Sequence, residues 1–205
     1  MRTDRARALL ATTALVLIGP ATAWAAEAVV GQQAPDFTVT DTNGQARSPA
    51  QVRGQFLVLE WHNHECPFVR KHYGSGNMQR LQQEATGKGV VWWIVNSSAP
   101  GKQGYVGAEE ANALTRSRQA VPSAVLLDAG GTVGRRYGAK TTPHLFVIDP
   151  SGILIYAGAI DGTPSTDPAD IPGAVNYVRQ ALNEAMAGQP VSVPQTTSYG
   201  CSVKY

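Results

Sequence analysis

Short, almost wholly apolar runs alternate with amphipathic stretches along this chain of 205 residues. The runs Phe56–Trp61 and Gly89–Val95 have the length and composition of strands that are buried on both faces of a sheet, and Ala124–Asp128 is a shorter strand. Helices are predicted from Pro67 to about Tyr73 and over Gly107–Gln119. Because strands that are separated by helices pair in parallel through right-handed crossovers, an α/β domain is expected.

Two hairpins and two further helices complete the predicted elements. Asp36–Thr40 alternates and precedes an Asn-Gly turn, which predicts a small N-terminal strand or hairpin. Leu145–Asp149 and Ile153–Ala157 are strands separated only by Pro-Ser-Gly, so an antiparallel hairpin should make the sheet mixed. Asn77 is expected to cap a helix after a glycine-rich break. The last helix carries an apolar stripe formed by Val175, Val178, Leu182 and Ala185.

The first 25 residues have the layout of a secretory signal peptide, with three arginines, an apolar run over Ala8–Ile18 and an Ala-Trp-Ala motif that ends at Ala25. The apolar run is too short to span a bilayer, so we expect cleavage after Ala25, export to the bacterial periplasm and no membrane attachment afterwards. An uncleaved N-terminal anchor is the alternative. The predicted domain then covers residues 26–189, and residues 190–205 form an irregular tail. Basic and acidic residues balance once the leader is set aside, which argues against a nucleic-acid partner.

Cys66 lies between the first buried strand and the helix that Pro67 opens. Proline suits the first helical position, so Cys66 is expected at or next to the N-cap. Free backbone N–H groups and the helix dipole favour an anion there, and a thiolate is such an anion. The sequence therefore predicts a reactive thiol with a lowered pKa at Cys66.

Four segments resemble the redoxin branch of the thioredoxin superfamily, the alkyl hydroperoxide reductase/thiol-specific antioxidant group. They are Val30–Phe37, the strand that leads to Cys66, Tyr137–His144 and Phe146–Gly152. The resemblance implies a thioredoxin-like fold, with a mixed central sheet flanked by helices and an N-terminal hairpin extension. It also implies that Pro143 is a cis-proline facing Cys66, which would hold the Thr142 backbone toward a peptide-like disulfide substrate.

Two signatures of the superfamily are broken in this chain. Val69 stands where a thioredoxin-type Cys-x-x-Cys motif has its second cysteine. Asn63 and Leu59 stand where the peroxiredoxin motif has its Thr/Ser and its Pro. The first departure argues against a thioredoxin-type reductant, and the second argues against an efficient peroxidase.

Cys201, the only other cysteine, is expected to act as the resolving thiol in place of the missing helix cysteine. A substrate would leave a sulfenic acid or a mixed disulfide on Cys66, and Cys201 would then close an intramolecular disulfide. A static disulfide that stabilises the fold is the main alternative, because closing so long a loop stabilises by up to about 5 kcal/mol on the chain-entropy model. The absence of any bond is the remaining alternative.

The four histidines are expected to crowd the end of the sheet that carries Cys66. They are His62 and His64 before Cys66, His72 on its helix and His144 after Pro143. An imidazolium near the thiol would favour the thiolate, and a neutral imidazole would shuttle a proton.

Two basic residues and one metal pattern lie in the same segment. Arg70 and Lys71 are predicted to face solvent, with Arg70 also a candidate to support the thiolate. His62-x-His64-x-Cys66 would suit copper or zinc if that segment were extended, but Pro67 indicates a turning backbone, so no metal is expected.

The sequence thus predicts an exported thiol-dependent oxidoreductase, with a peroxidase resolved by Cys201 placed slightly ahead of thiol–disulfide exchange on protein disulfides. Its environment is expected to include His62, His64, Pro67, Arg70, Thr142, Pro143 and His144. Its partners would be a hydroperoxide or disulfide substrate and a thiol reductant, with no cofactor. The rivals are a copper- or zinc-binding module and a partner-binding domain without catalysis.

Overall fold

The computed structural model describes residues 27–205, so the predicted signal peptide lies outside the described residues. The strands are β1 Val39–Thr40, β2 Ala46–Arg47, β3 Leu57–Trp61, β4 Val91–Asn96, β5 Ala124–Leu127, β6 Thr141–Thr142, β7 His144–Ile148, β8 Leu154–Gly158 and β9 Cys201–Ser202. The helices are α1 Pro67–Gly74, α2 Asn77–Thr86, α3 Ala108–Ser117, α4 Thr132–Arg136 and α5 Tyr177–Met186, with 3₁₀ turns at Pro49–Val52 and Pro168–Gly173. None of the described helices is long and apolar enough to cross a membrane.

The central sheet has five strands in the order β5-β4-β3-β7-β8. Strands β3, β4 and β5 are parallel, whereas β7 is antiparallel to both β3 and β8. The sheet is therefore mixed, as the sequence predicts. The small hairpin of β1 and β2 confirms the predicted N-terminal extension.

Apolar side chains cover both faces of this sheet, which explains the continuous apolar runs. One face packs on α1, α2, α3 and α5, and its core includes Val58, Trp92 and Leu145. The other face packs on α4 and the N-terminal segment, around Trp61 and Phe146. Burial on both faces is the reason that the strands show no alternation.

The structure corrects three details of the predicted elements. Asn77 is the first residue of α2 rather than its cap, because Gly76 occupies the N-cap in a left-handed conformation (φ 72°). Val175 precedes α5 and is 56% exposed, so it does not belong to the apolar stripe. The short helix α4 was not predicted.

The most consequential correction concerns residues 190–205, which we call the Cys201 segment. The sequence predicts an irregular tail, but part of it forms β9, which pairs antiparallel with β6. Earlier in the segment, Gln195 also forms a parallel bridge with Ala157 of β8. The segment therefore returns to the domain and lies along it.

Candidate functional site

Cys66 stands at the carboxyl end of β3 and is the N-cap of α1, with Pro67 at the first helical position. Its backbone is extended (φ −66°, ψ 124°), as a cap requires. The amide of Arg70 donates to the Cys66 carbonyl at 2.9 Å, which is the first hydrogen bond of the helix. The local arrangement is the one that the strand–cysteine–proline pattern predicts.

The Cys66 thiol is completely buried (0% exposed) and lies between two backbone groups. Its S–H donates to the Thr142 carbonyl at 3.0 Å, and the Cys201 amide donates to its sulfur at 3.5 Å. Burial alone would raise the pKa of Cys66, but hydrogen bonds from the Cys201 thiol and from the amides of Val69 and Cys201 outweigh it and lower the pKa. The thiol is held and biased toward the anion, yet it is not directly reachable from solvent.

Cys201 lies in β9 directly opposite Thr142 of β6. Both cysteines are free thiols, and Cys201 is only partly buried. Burial and its hydrogen bond to the Cys66 sulfur raise the pKa of Cys201 to about 11. The two sulfurs therefore form an asymmetric pair, with the more acidic one inside.

Gly200 allows the Cys201 segment to approach the β6 backbone closely. A Cβ at this position would lie 2.1 Å from the Thr142 carbonyl oxygen, and the glycine has a φ of +133°. Only glycine tolerates both conditions, because a side chain would collide with a backbone atom that cannot move aside.

Hydrogen bonds outside β9 hold the segment at several further points. The Tyr199 hydroxyl donates to the Asp161 carboxylate, and the Tyr205 hydroxyl donates to the Ala139 carbonyl at 2.7 Å. The amide of Val203 donates to the Lys140 carbonyl at 3.0 Å. The Thr196 side chain packs over Gly158 and accepts from the Ala159 amide at 2.9 Å.

The peptide bond between Thr142 and Pro143 is cis, as the resemblance implies. Thr142 is 2% exposed, and its carbonyl accepts from the Cys66 thiol. Its partner strand is β9, so the chain's own segment occupies the place that the sequence assigns to a peptide-like substrate.

Neither His62 nor His64 forms a hydrogen bond with the Cys66 sulfur. The His62 ring lies 3.3 Å from Glu60 through Nδ1 and 3.2 Å from the Arg118 guanidinium through Nε2. Burial, together with the charge of Arg118, lowers the pKa of His64. The carbonyl of His64 accepts from Arg118 at 3.1 Å, so this backbone is fixed from the end of α3.

His72 and His144 are buried and are engaged away from the thiol pair. His72 Nδ1 accepts from the side-chain Nδ2 of Asn77 at 2.9 Å, and its Nε2 lies 3.8 Å from the Asp161 carboxylate. His144 Nδ1 accepts from the Lys140 amide at 3.3 Å. Burial lowers the pKa of each imidazole to about 4. The described hydrogen bonds of His62, His72 and His144 thus go to groups other than the Cys66 sulfur.

The structure places the two basic residues of α1 in different environments. Arg70 is exposed, as predicted, and its guanidinium donates to the His64 carbonyl at 3.3 Å rather than to the thiol. Lys71 is 2% exposed, which contradicts the predicted solvent-facing position. Its ammonium donates to the Thr163 carbonyl at 3.2 Å. The prediction failed because the loop after β8 folds over this face of α1.

The pattern His62-x-His64-x-Cys66 does not converge on one point. His62 turns toward Glu60, whereas the Cys66 sulfur turns toward Thr142, because the backbone bends before Pro67. Within residues 27–205, no group of three or more histidine, cysteine or acidic side chains is arranged to hold a metal ion.

A buried carboxylate, Glu60, lies on the strand that leads to Cys66 and was missed as a site residue. It is 0% exposed and accepts from the Tyr73 hydroxyl at 2.7 Å, from Trp92 Nε1 at 2.9 Å and from Gln82 Nε2 at 3.2 Å. The signal that could have found it is one acidic residue inside an apolar run, since an isolated buried carboxylate is costly. The network joins β3, β4, α1 and α2 behind the site.

The sequence was compared with models of known protein families and with curated proteins. The model of the AhpC/TSA family matches residues 30–157. No curated protein sequence gives a match.

Solved structures give the fold. A hypothetical protein from Sinorhizobium meliloti is 23% identical, with 86% of this chain and 94% of that chain covered and a TM-score of 0.73. An uncharacterized conserved protein from Geobacillus kaustophilus is 25% identical, with coverages of 86% and 92% and a TM-score of 0.73. The thioredoxin domain of a thiol-disulfide oxidoreductase from Bacteroides vulgatus is 19% identical, with coverages of 63% and 87% and a TM-score of 0.50. The fold is thioredoxin-like, and the chain belongs to the AhpC/TSA family, which supports a thiol-dependent oxidoreductase activity in general.

Proposed function

We propose that this protein cycles between a dithiol and an intramolecular disulfide of Cys66 and Cys201, and that it exchanges this pair with external thiols and disulfides. The observation that carries the proposal is the pairing of β9 with β6, which sets the Cys201 amide 3.5 Å from the Cys66 sulfur. Two thiols held together in this way need little rearrangement to form a bond.

The cycle is a two-electron exchange. When the pair is oxidised, the two thiols lose two protons and two electrons, and an external disulfide gains them and becomes two thiols. The reverse reaction reduces Cys66–Cys201 at the expense of a dithiol reductant. The lowered pKa of Cys66 favours the cycle, because a low-pKa thiol leaves a disulfide readily when the pair is reduced.

The surroundings of Cys66 favour disulfide exchange over the peroxidase that the sequence placed slightly ahead. The groups that would orient a peroxide are already engaged. The Cys66 amide donates to the Asn63 carbonyl at 3.1 Å, and the Asn63 side chain binds Gln103 and Glu65. Reduction of a hydroperoxide stays the second candidate, supported by the acidic character of Cys66.

The proposed location of the protein is the one that the sequence predicts. It acts outside the cytoplasm after removal of the leader, where an oxidising environment sustains a disulfide. It uses a disulfide-bearing or thiol-bearing partner and no cofactor.

Mass spectrometry of acid-quenched samples tests the proposal. Reduced wild type and the Cys201→Ser variant are mixed with oxidised glutathione or with hydrogen peroxide. We expect oxidised glutathione to produce the Cys66–Cys201 disulfide in wild type faster than an equal concentration of peroxide does.

Three other outcomes would favour a different function or refute the proposed cycle. Faster oxidation by peroxide, with sulfenic acid on Cys66 in the Cys201→Ser variant, would favour the peroxidase. A disulfide that forms but resists dithiothreitol under native conditions would favour a static bond. Absence of any disulfide would refute the proposed cycle.

A further inference from the structure

We propose that Cys201, not Cys66, is the sulfur through which external thiols and disulfides enter and leave the redox pair. This inference rests on the proposed cycle and assigns the two cysteines distinct roles within it. It reverses the roles expected from the sequence, in which Cys66 meets the substrate and Cys201 only resolves it.

Burial gives the first argument. Cys66 is 0% exposed and belongs to the core on the helix face of the sheet, together with Val69 and Leu145. Cys201 packs against the outside of that core and is only partly buried. An external sulfur atom can therefore reach Cys201 while the Cys201 segment stays in place, but it cannot reach Cys66.

The geometry of thiol–disulfide exchange gives the second argument. The attacking sulfur approaches a disulfide in line with the bond that breaks, from the side opposite the leaving sulfur. Cys66 is completely buried, so an in-line approach to its sulfur has no path from solvent while the Cys201 segment stays in place. Cys201 is only partly buried, so burial leaves an in-line approach to its sulfur open.

The hydrogen bonds around the sulfurs give the third argument. After attack on Cys201, the sulfur that leaves is Cys66, which stands at the N-cap of α1 and accepts from the Cys201 amide. A thiolate is stabilised there by the helix dipole. Attack on Cys66 would instead expel Cys201, which lies on β9 rather than at a helix N-terminus and so gains no comparable stabilisation.

The exchange transfers two electrons from two external thiolates, called client thiolates, to the Cys66–Cys201 disulfide. A client thiolate attacks Cys201, the bond between Cys66 and Cys201 breaks, and Cys66 leaves as a thiolate with the electron pair of that bond. The product is a mixed disulfide between Cys201 and the client. A second client thiolate then attacks the client sulfur of the mixed disulfide, which forms the client disulfide and releases Cys201 as a thiolate that takes up a proton from water.

Peptide mapping after acid quench tests this order. The oxidised protein, with its disulfide confirmed by mass, is mixed with reduced glutathione for milliseconds to seconds and quenched at low pH. Pepsin digestion in acid then preserves disulfides for mass spectrometry. We expect the glutathione adduct on the Cys201 peptide to exceed that on the Cys66 peptide by tenfold or more. The same oxidised protein in urea is the control, where both sulfurs are open and the ratio should fall toward one.

The outcomes separate this inference from the proposed function. If the native disulfide forms but glutathione is found equally on both cysteines or mainly on Cys66, the assignment of Cys201 as the entry sulfur is wrong and the cycle still stands. If no Cys66–Cys201 disulfide forms under mild oxidation, the cycle is refuted and the inference with it.

Discussion

The two sulfurs of the site are held by regions of very different construction. Cys66 joins β3 to α1, which pack into the buried core and are tied together by the Glu60 network. Cys201 sits on a two-residue strand that is held by backbone pairing with β6 and by hydrogen bonds from a few side chains. The first region belongs to the cooperative core, and the second lies on top of it.

Because of this difference, substitutions in one region should change the stability of the domain, and substitutions in the other should change the accessibility of Cys66. A change in the core around Cys66 should lower the free energy of unfolding of the whole domain. A change in the Cys201 segment should leave that free energy nearly intact and instead expose Cys66, because local opening costs less than global unfolding.

The largest effect is expected from Glu60→Leu. The substitution leaves the buried donors of Tyr73 and Trp92 without their acceptor, at roughly 1–3 kcal/mol for each unsatisfied group, and removes one of the two hydrogen bonds of Gln82 Nε2. We expect the free energy of unfolding in urea to fall by about 4 kcal/mol. Glu84→Gln is the control, since Glu84 forms an exposed ion pair with Arg179 and should cost under about 1 kcal/mol. A similar cost for both variants would show that the network does not stabilise the core.

Acid should destabilise the core through its buried histidines. The pKa of His144 is about 4 in the folded protein and about 6.5 when unfolded, so the unfolded state binds the proton more readily between these values. Its contribution to stability is complete above pH 6.5 and is lost as the pH falls toward 4, by about 3 kcal/mol. His72 acts in the same direction.

Urea unfolding of wild type and His144→Gln between pH 7.5 and pH 4 measures this effect. The glutamine retains an acceptor but does not titrate, so the variant should lose less stability on acidification by about 3 kcal/mol. Parallel curves for the two proteins would contradict the assignment.

Gly200→Ala should open the site without unfolding the domain. The new Cβ would lie 2.1 Å from the Thr142 carbonyl oxygen, so β9 must move off β6. We expect the alkylation of Cys66 by iodoacetamide at neutral pH to accelerate tenfold or more, while the urea midpoint changes little. Gly173→Ala is the matched control, because its Cβ meets nothing within 4 Å. Equal rates in both variants would show that the Cys201 segment does not shield Cys66.

The smallest effect is expected from Tyr199→Phe. It removes one hydrogen bond to the Asp161 carboxylate and retains the edge-to-face packing on Phe68, whose ring centroid lies 5.7 Å from that of Tyr199. A net loss of about 1 kcal/mol in closing the segment corresponds to a roughly fivefold faster alkylation of Cys66. Tyr205→Phe serves for comparison, since its hydroxyl binds a carbonyl instead of a carboxylate and should matter less. A larger effect of Tyr205→Phe would reverse this ranking of the two anchors.

The fold was largely predictable because its signals are local. The strand before Cys66 and the helix opened by Pro67 follow from an apolar run and one proline, and both are confirmed. The closing hairpin follows from two apolar runs and a short polar turn, and it is confirmed as β7 and β8.

The site was only partly predictable because its decisive contacts are between distant residues. Nothing near Cys201 predicts a strand, since β9 exists only through its pairing with β6. The burial of Lys71 depends on a loop that follows β8, and the role of Glu60 depends on donors from three other elements. Local patterns carry no information about such partners.

The most direct test of the central claim is a redox titration of the wild-type protein. Samples are equilibrated across ratios of reduced to oxidised dithiothreitol, quenched with acid, and analysed by intact mass and peptide mapping. We predict one two-electron transition in which the Cys66–Cys201 disulfide is the only oxidised species, and single-cysteine variants should show none. Two cysteines that oxidise independently, or a pair that never joins at any ratio, would contradict it.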